Sequence, residues 1–193
     1  MVSEEEKNQL GYLCAQLEDT PLYIDDTPGM TVLELRAKAR RLAQQHQVQA
    51  VFIDYLQLMT STSRDDNRQQ EIATISRGLK ALGRELKIPI IAMAQLNRMT
   101  EGREGHRPRM SDLRESGAIE QDADVVLLLH REEYYKRDDP NVKGLADVII
   151  AKQRNGPTDT VNLVFNAHLA RFDNLSLSPE PAPIHTYVED TPF

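Results

Sequence analysis

The segments that most restrict the fold are short apolar runs that do not alternate: Val51-Phe52-Ile53, Pro89-Ile90-Ile91-Ala92-Met93-Ala94, Ala123 to Leu129 and Ala146 to Ala151. A strand with one face in water alternates apolar and polar residues, so unbroken runs predict buried strands. Between them the period becomes helical. Thr31 and Glu34 have capping-box spacing, and Val32, Leu35, Ala39, Leu42 and His46 then recur three or four apart. Ile72, Ile75, Leu79, Leu82 and Leu86 mark a second long helix, stopped at Pro89, and Ser3 to Leu17 reads as a shorter amphipathic one. Pro21 to Ile24 is an extended run closed by the turn Asp25-Asp26-Thr27-Pro28-Gly29, and Thr60 to Asp66 is a polar, mobile loop. Thr160 to Phe165 and Ala170 to Asp173 complete an antiparallel edge. Together these predict an α/β layer fold with a mainly parallel sheet flanked by helices. From Ser176 the chain turns Pro-rich, which predicts a disordered tail over 176–193 beside one folded unit over 1–175.

A length of 193 residues with 40% hydrophobic content permits one well-buried core. The single cysteine, Cys14, excludes an internal disulfide framework and a cysteine zinc site, which fits a reducing compartment. No apolar run is long enough to span a bilayer and the first residues have no signal character, so a cytoplasmic location is expected. A net charge of −7 means that nucleic-acid binding requires a local basic patch or backbone amides.

In open α/β sheets, ligands gather beyond the carboxyl ends of the strands. Asp54 ends the first run, and a lone carboxylate there is how phosphate-loop NTPases hold Mg²⁺, although capping a turn is the plainer role. Gln95, with Asn97 and Arg98, follows the second run; its amide can orient water, sense a γ-phosphate, or merely bond a loop. The later runs end near His130-Arg131 and near Lys152-Gln153-Arg154, cations that can neutralise phosphoryl charge or simply lie on a solvated strand face. All are expected at one edge of one sheet. Gly78 and Gly83 have phosphate-loop spacing, but Arg84-Glu85 stand where Lys and then Ser or Thr are required, and both glycines fall inside a helix. The residues thus spell half an ATPase site.

A second constellation runs from Ser111 to Asp124. Between Arg98 and Arg114 there are five arginines against three acids, together with Gly102, Gly105 and Pro108. Such a segment can offer Arg114 and the amides around Ser116 and Gly117 to phosphates without reading bases. It contains no aromatic residue for stacking, so backbone gripping is the expected mode. Asp112 and Glu115 capping a short helix is the alternative.

The stretches Phe52 to Met59, Asn67 to Glu71, Ala94 to Arg98, Arg114 to Gly117, Glu120 to Asp124 and Ala151-Lys152-Gln153-Arg154-Asn155-Gly156-Pro157 resemble the C-terminal ATPase domain of DnaB-type bacterial replicative helicases. The resemblance runs in order from Pro21 to Leu175, and Tyr23 to Pro28 also fits. It implies a RecA-like fold, a homo-hexameric ring, ATP with Mg²⁺ between neighbouring subunits, single-stranded DNA through the centre, and primase and a helicase loader as partners. By the same resemblance Asp54 is the Mg²⁺-associated acid and Gln95 the γ-phosphate sensor. Arg154 is the arginine finger, with Lys152 beside it, and both reach the ATP of the adjacent subunit. Arg114, Glu115 and Gly117 match the DNA-holding loop. The family's phosphate loop and its water-polarising glutamate are expected upstream of Met1, so this chain by itself should neither bind ATP tightly nor unwind DNA. Asp159 replaces a glycine of the family pattern. Another RecA-like ATPase, such as a recombinase or regulatory ring ATPase, and a non-catalytic oligomerisation or loader-binding module are the competing readings.

Overall fold

A computed structural model describes residues 3–18, 20–61, 67–97, 102, 103 and 105–175, with the backbone alone for 114–116. Arg98, most of the polar stretch after Thr60 and the Pro-rich tail lie outside the described residues. The elements are α1 (Glu4–Glu18), α2 (Val32–His46), β1 (Val51–Ile53), α3 (Arg68–Leu86), β2 (Ile90–Ala92), α4 (Gly117–Asp122), β3 (Val125–His130), β4 (Leu145–Gln153), β5 (Thr160–Asn166) and β6 (Arg171–Asn174). Short 3₁₀ turns cover Leu56–Leu58, Met110–Ser116 and Glu132–Tyr134.

The capping box forms as its spacing predicts: the Thr31 hydroxyl accepts from the Glu34 amide at 3.2 Å, and the Glu34 carboxylate accepts from the Thr31 amide at 2.8 Å. Helix α3 supplies the main core. Ile72, Ile75, Leu79 and Leu82 are buried, and Leu56 and Met59 join them beneath Val32 and Leu35 of α2. At about 1.5–3 kcal/mol per buried aliphatic side chain, this face holds α3 against the β1–β2 pair. A second cluster of Leu113, Val126 and Leu128 packs on Leu96, Ile149 and Ala151, and Ala94 touches both clusters.

The α/β class holds, but the balance of strand directions differs from expectation. β1 and β2 pair in parallel, whereas β3, β4, β5 and β6 form an antiparallel sheet in that order. Residues 131–144, between β3 and β4, hold only a 3₁₀ turn and loops, too little for the helical crossover a parallel pair requires, so the chain doubles back. Of the runs read as buried, β1, β2 and β3 each leave one face exposed among the described residues, while β4 is half-buried along most of its length. β3 alternates, with Val126 and Leu128 buried while Val125, Leu127 and Leu129 are exposed; Phe52, Ile91 and Met93 are exposed likewise. Helix α1 buries none of its residues. Among the described residues no helix is long and apolar enough to cross a membrane.

Candidate functional site

Asp54 sits at the carboxyl end of β1, where the parallel ladder continues through the Met93 amide, which donates to the Ile53 carbonyl at 2.9 Å. The Leu56 amide then donates to the Met93 carbonyl at 2.9 Å. The peptide between Asp54 and Tyr55 is cis. The Asp54 side chain is exposed and makes no hydrogen bond or ion pair with any described residue. Gln95 lies just past β2 at the same end, and a residue not singled out by sequence reasoning joins the two. The Gln57 side-chain amide donates to the Gln95 carbonyl at 3.4 Å and accepts from the Gln95 amide at 3.3 Å, a reciprocal latch across 38 positions. Gln57 is itself held by Arg68, whose guanidinium donates to its carbonyl at 2.6 Å while pairing with Glu71. The Ser61 amide and then Arg68 keep the Glu71 carboxyl below the usual carboxylate range. Beyond Gln95, the Asn97 amide donates to the Asp112 carbonyl at 3.0 Å, tying this end of the sheet to the turn that carries Arg114.

Asp112 follows the structural alternative. It is buried, accepts from the Arg109 amide at 2.7 Å, and is gripped by Arg103 through two bonds of 3.1 and 2.8 Å. Arg107 pairs with Asp147 at 2.6 Å. Two of the five arginines read as a basic stretch are therefore engaged internally. Residues 110–116 form a 3₁₀ turn that runs directly into α4; the side chains of Arg114 and Glu115 lie outside what is described. Gly117 is exposed with a helical φ of −49°, and a Cβ there would meet nothing within 4 Å. Nothing in the described chain requires a glycine at that position.

Lys152 and Arg154 grip the other end of α4. The Lys152 ammonium donates to the carbonyls of Glu120, Gln121 and Ala123 at 2.6, 3.3 and 2.7 Å, which uses all three of its protons and caps the helix's negative end. Arg154 donates to the Gln121 carbonyl at 2.8 Å and stands 3.6 Å from the Asp124 carboxylate, which also receives Lys80. Asp122, between Gln121 and Ala123, accepts from the buried Ser76 hydroxyl at 2.8 Å.

The expectation that these groups share one edge of one sheet is corrected by strand direction. Leu96, next to Gln95, and His130 line the same cavity, so the carboxyl ends of β2 and β3 lie together. Gln153 pairs with Val125 and the Arg154 amide bonds the Asp124 carbonyl, which puts Lys152 and Arg154 at the start of β3. From Asp124, beside Arg154, to His130 is six residue steps, about 20 Å at about 3.3 Å each; Val126, opposite Lys152, is four steps from His130. His130-Arg131 therefore does not join Arg154: His130 is buried, with its pKa lowered by burial and by Arg107, and Arg131 stacks over Phe165 at 3.8 Å. Gly78 and Gly83 are packing positions within α3, as their context implies; a Cβ on Gly78 would stand 2.7 Å from Val32. Asp159 lies in the β4–β5 turn without left-handed backbone, accepting from the Ile150 amide through its carbonyl at 2.8 Å. Among the described residues no group of His, Cys, Asp and Glu side chains could by itself hold a metal ion.

Residues 1–174 match the DnaB-like helicase C-terminal domain family. The chain belongs to that family. It is 55% identical over 161 residues to the replicative DNA helicase DnaB of Leifsonia xyli subsp. xyli, covering 83% of this chain and 35% of that protein. Identity to the DnaB helicase of Mycobacterium leprae is 50% over 175 residues, covering 91% of this chain and 29% of the relative. For the Geobacillus stearothermophilus helicase it is 48% over 184 residues, or 95% and 40%. The chain thus spans between 29% and 40% of the length of these DnaB relatives. Among solved structures, an ATPase domain superposes with a TM-score of 0.83 at 38% identity, covering 90% of this chain and 62% of that one. A DnaB-like replicative helicase, solved in work on its interactions with primase, superposes with a TM-score of 0.82 at 38% identity, covering 90% and 43%. The fold is accordingly the RecA-like ATPase fold.

Proposed function

We propose that this chain is part of the motor of a ring-forming replicative DNA helicase, which couples ATP hydrolysis to movement along single-stranded DNA and to duplex unwinding. The observation that carries the reading is the separation within one family member of an acid-and-amide end, Asp54 with Gln95, from a cation end, Lys152 with Arg154. Groups placed toward opposite ends of β3 do not meet on one triphosphate, so each completes a site with a neighbouring copy. A homo-hexamer is the closed ring this heterologous arrangement favours, by analogy with the family.

At the acid end, the exposed and unpartnered Asp54 carboxylate fits a single protein ligand of a Mg²⁺ ion held otherwise by water and phosphate. When bound, that ion would neutralise charge on the ATP phosphates. Gln57 fixes the Gln95 backbone, and through Asn97 and Asp112 the position of Gln95 is linked to the turn before Gly117. The Arg114 side chain and the backbone amides of Glu115 and Gly117 hold the DNA strand by its phosphates; a glycine with no internal packing reason is suited to close approach by a partner. At the cation end, Arg154 leaves Gln121 and Asp124 to reach the neighbour's phosphates, with Lys152 bracing or following it. Primase and a helicase loader are the protein partners this reading implies, and the cytoplasm its location.

In the intact helicase carrying this segment, Arg154→Ala lowers steady-state ATP turnover by about 10³–10⁵, the range for loss of an arginine finger. A rate within about tenfold of the unmodified enzyme contradicts the assignment.

A further inference from the structure

The turn that carries Arg114 takes its direction from the residues just ahead of it. Residues 110–116 are not one continuous helix: the backbone kinks at Leu113, with φ −78° and ψ 24°, and Leu113 is buried with Val126 and Leu128. Whatever fixes Asp112 and Leu113 therefore sets the direction in which the chain at Arg114 leaves the core. We propose that Asp112, locked by Arg103, is a positioning residue that aims this turn at single-stranded DNA. That role rests on the reading of Arg114 to Gly117 as the strand-holding turn and adds the pair that sets its direction.

Three pieces of chain meet at Asp112. Its carbonyl accepts from the Asn97 amide at 3.0 Å, just beyond Gln95. Its carboxylate, 4% exposed, accepts from the Arg109 amide at 2.7 Å and takes the Arg103 guanidinium in a fork of 3.1 and 2.8 Å. Arg103 also donates to the Arg107 carbonyl at 3.2 Å, and Arg107 continues to Asp147 of β4 and, at 3.4 Å, to the Thr160 hydroxyl of β5. The strand end at Gln95, the antiparallel sheet and the turn are thus joined through one carboxylate. A buried ion pair is a poor device for stability alone, because desolvation offsets its attraction and apolar side chains of equal volume often hold a fold as well. A planar fork of two bonds does what apolar packing does not: it fixes orientation as well as distance. Because the kink follows Asp112 directly, a small rotation there is carried to the backbone of Arg114 and the amides beyond it.

The test follows ATP turnover of the intact helicase carrying this segment as oligothymidylate is added. Arg103→Gln and Asp112→Asn should each raise the oligothymidylate concentration for half-maximal stimulation by about tenfold or more, the scale of lost phosphate contacts, and well beyond any change in the KM for ATP. The double variant should be no worse than the more damaged single one, since both remove the same fork. Arg103→Lys keeps the charge but loses the fork, and should recover only part of the loss. Size-exclusion chromatography verifies ring assembly; should Asp112→Asn not assemble, the two variants at the partly exposed Arg103 carry the test. An unchanged half-saturating concentration in Arg103→Gln, losses that add in the double variant, full recovery by Arg103→Lys, or an equal rise in the KM for ATP overturns the positioning role. Arg114→Ala separates the two readings. If it raises the half-saturating concentration while Arg103→Gln does not, the strand-holding turn stands and the positioning role fails; if Arg114→Ala itself has no effect, the strand-holding reading fails and the positioning role falls with it.

Discussion

Asp112 and Gln57 show how much of this site is decided by side chains that face inward. Arg103, through its two hydrogen bonds, holds the Asp112 carboxyl below the usual range against the opposing effect of burial. A carboxylate with a depressed folded-state pKa contributes stability that is fully present above its unfolded value, near 3.9, and lost as pH falls through the folded one. Asp112→Asn should therefore lower stability at pH 7 by about 1.5–3 kcal/mol, with the gap to the unmodified protein narrowing below about pH 4. Thermal melts from pH 7 to pH 3 check this, and a gap constant with pH contradicts it. Gln57 makes long, weak bonds to Gln95, so Gln57→Ala costs about 1 kcal/mol of stability or less. Because it positions the proposed sensor, ATP turnover of the intact helicase should nonetheless fall by about tenfold. Turnover unchanged at equal melting temperature rules out that role. Asp54 and Gln95 were legible in the sequence because each follows a strand-forming run. Gln57 was not, since a latch from a side-chain amide to a backbone 38 positions away leaves no local period.

At the scale of elements, the helices follow their periodicity closely. Thr31 with Glu34 starts α2, and Asn67 caps α3 by accepting from the Gln69 amide at 2.9 Å. Helix α3 also carries a tight contact that its apolar pattern does not announce. Gly78→Ala gains about 1 kcal/mol of helix propensity but drives a Cβ to 2.7 Å from the branched, rotamer-restricted Val32. Overpacking costs about 1–3 kcal/mol, so a net loss of about 1 kcal/mol is expected by chemical denaturation. A stabilised variant contradicts the packing role. Strand direction was less legible than strand position. The apolar runs locate β3 and β4, but the antiparallel turn between them depends on the absence of a helix in 131–144, where Tyr134 and Tyr135 stack edge to face and Tyr135 stacks on His106. The Lys152 clamp on α4 was hidden for the same reason as Gln57. Its acceptors are backbone carbonyls, which every residue supplies.

At the scale of the molecule, the described residues leave apolar side chains of the strands exposed and hold the cation end, Lys152 and Arg154, on the carbonyls at the end of α4. Unbroken apolar runs indicated strands covered twice, yet among the described residues β1 and β3 leave one face uncovered, with Phe52, Leu127 and Leu129 more than half exposed. Arg154, whose string of residues marks the family, lies at the start of β3, away from the end of the sheet that carries Asp54, and the proposed function assigns it to a neighbour's site. Mixing two variants of the intact helicase, Asp54→Asn and Arg154→Ala, tests this most directly. Each alone should be nearly inactive. Reassembled together in equal amounts, about a quarter of the interfaces would join an intact Asp54 to an intact Arg154 if assembly around the ring is random. ATP turnover should then rise well above the sum of the separate variants; turnover no greater than that sum would place Asp54 and Arg154 in the same site and contradict the account.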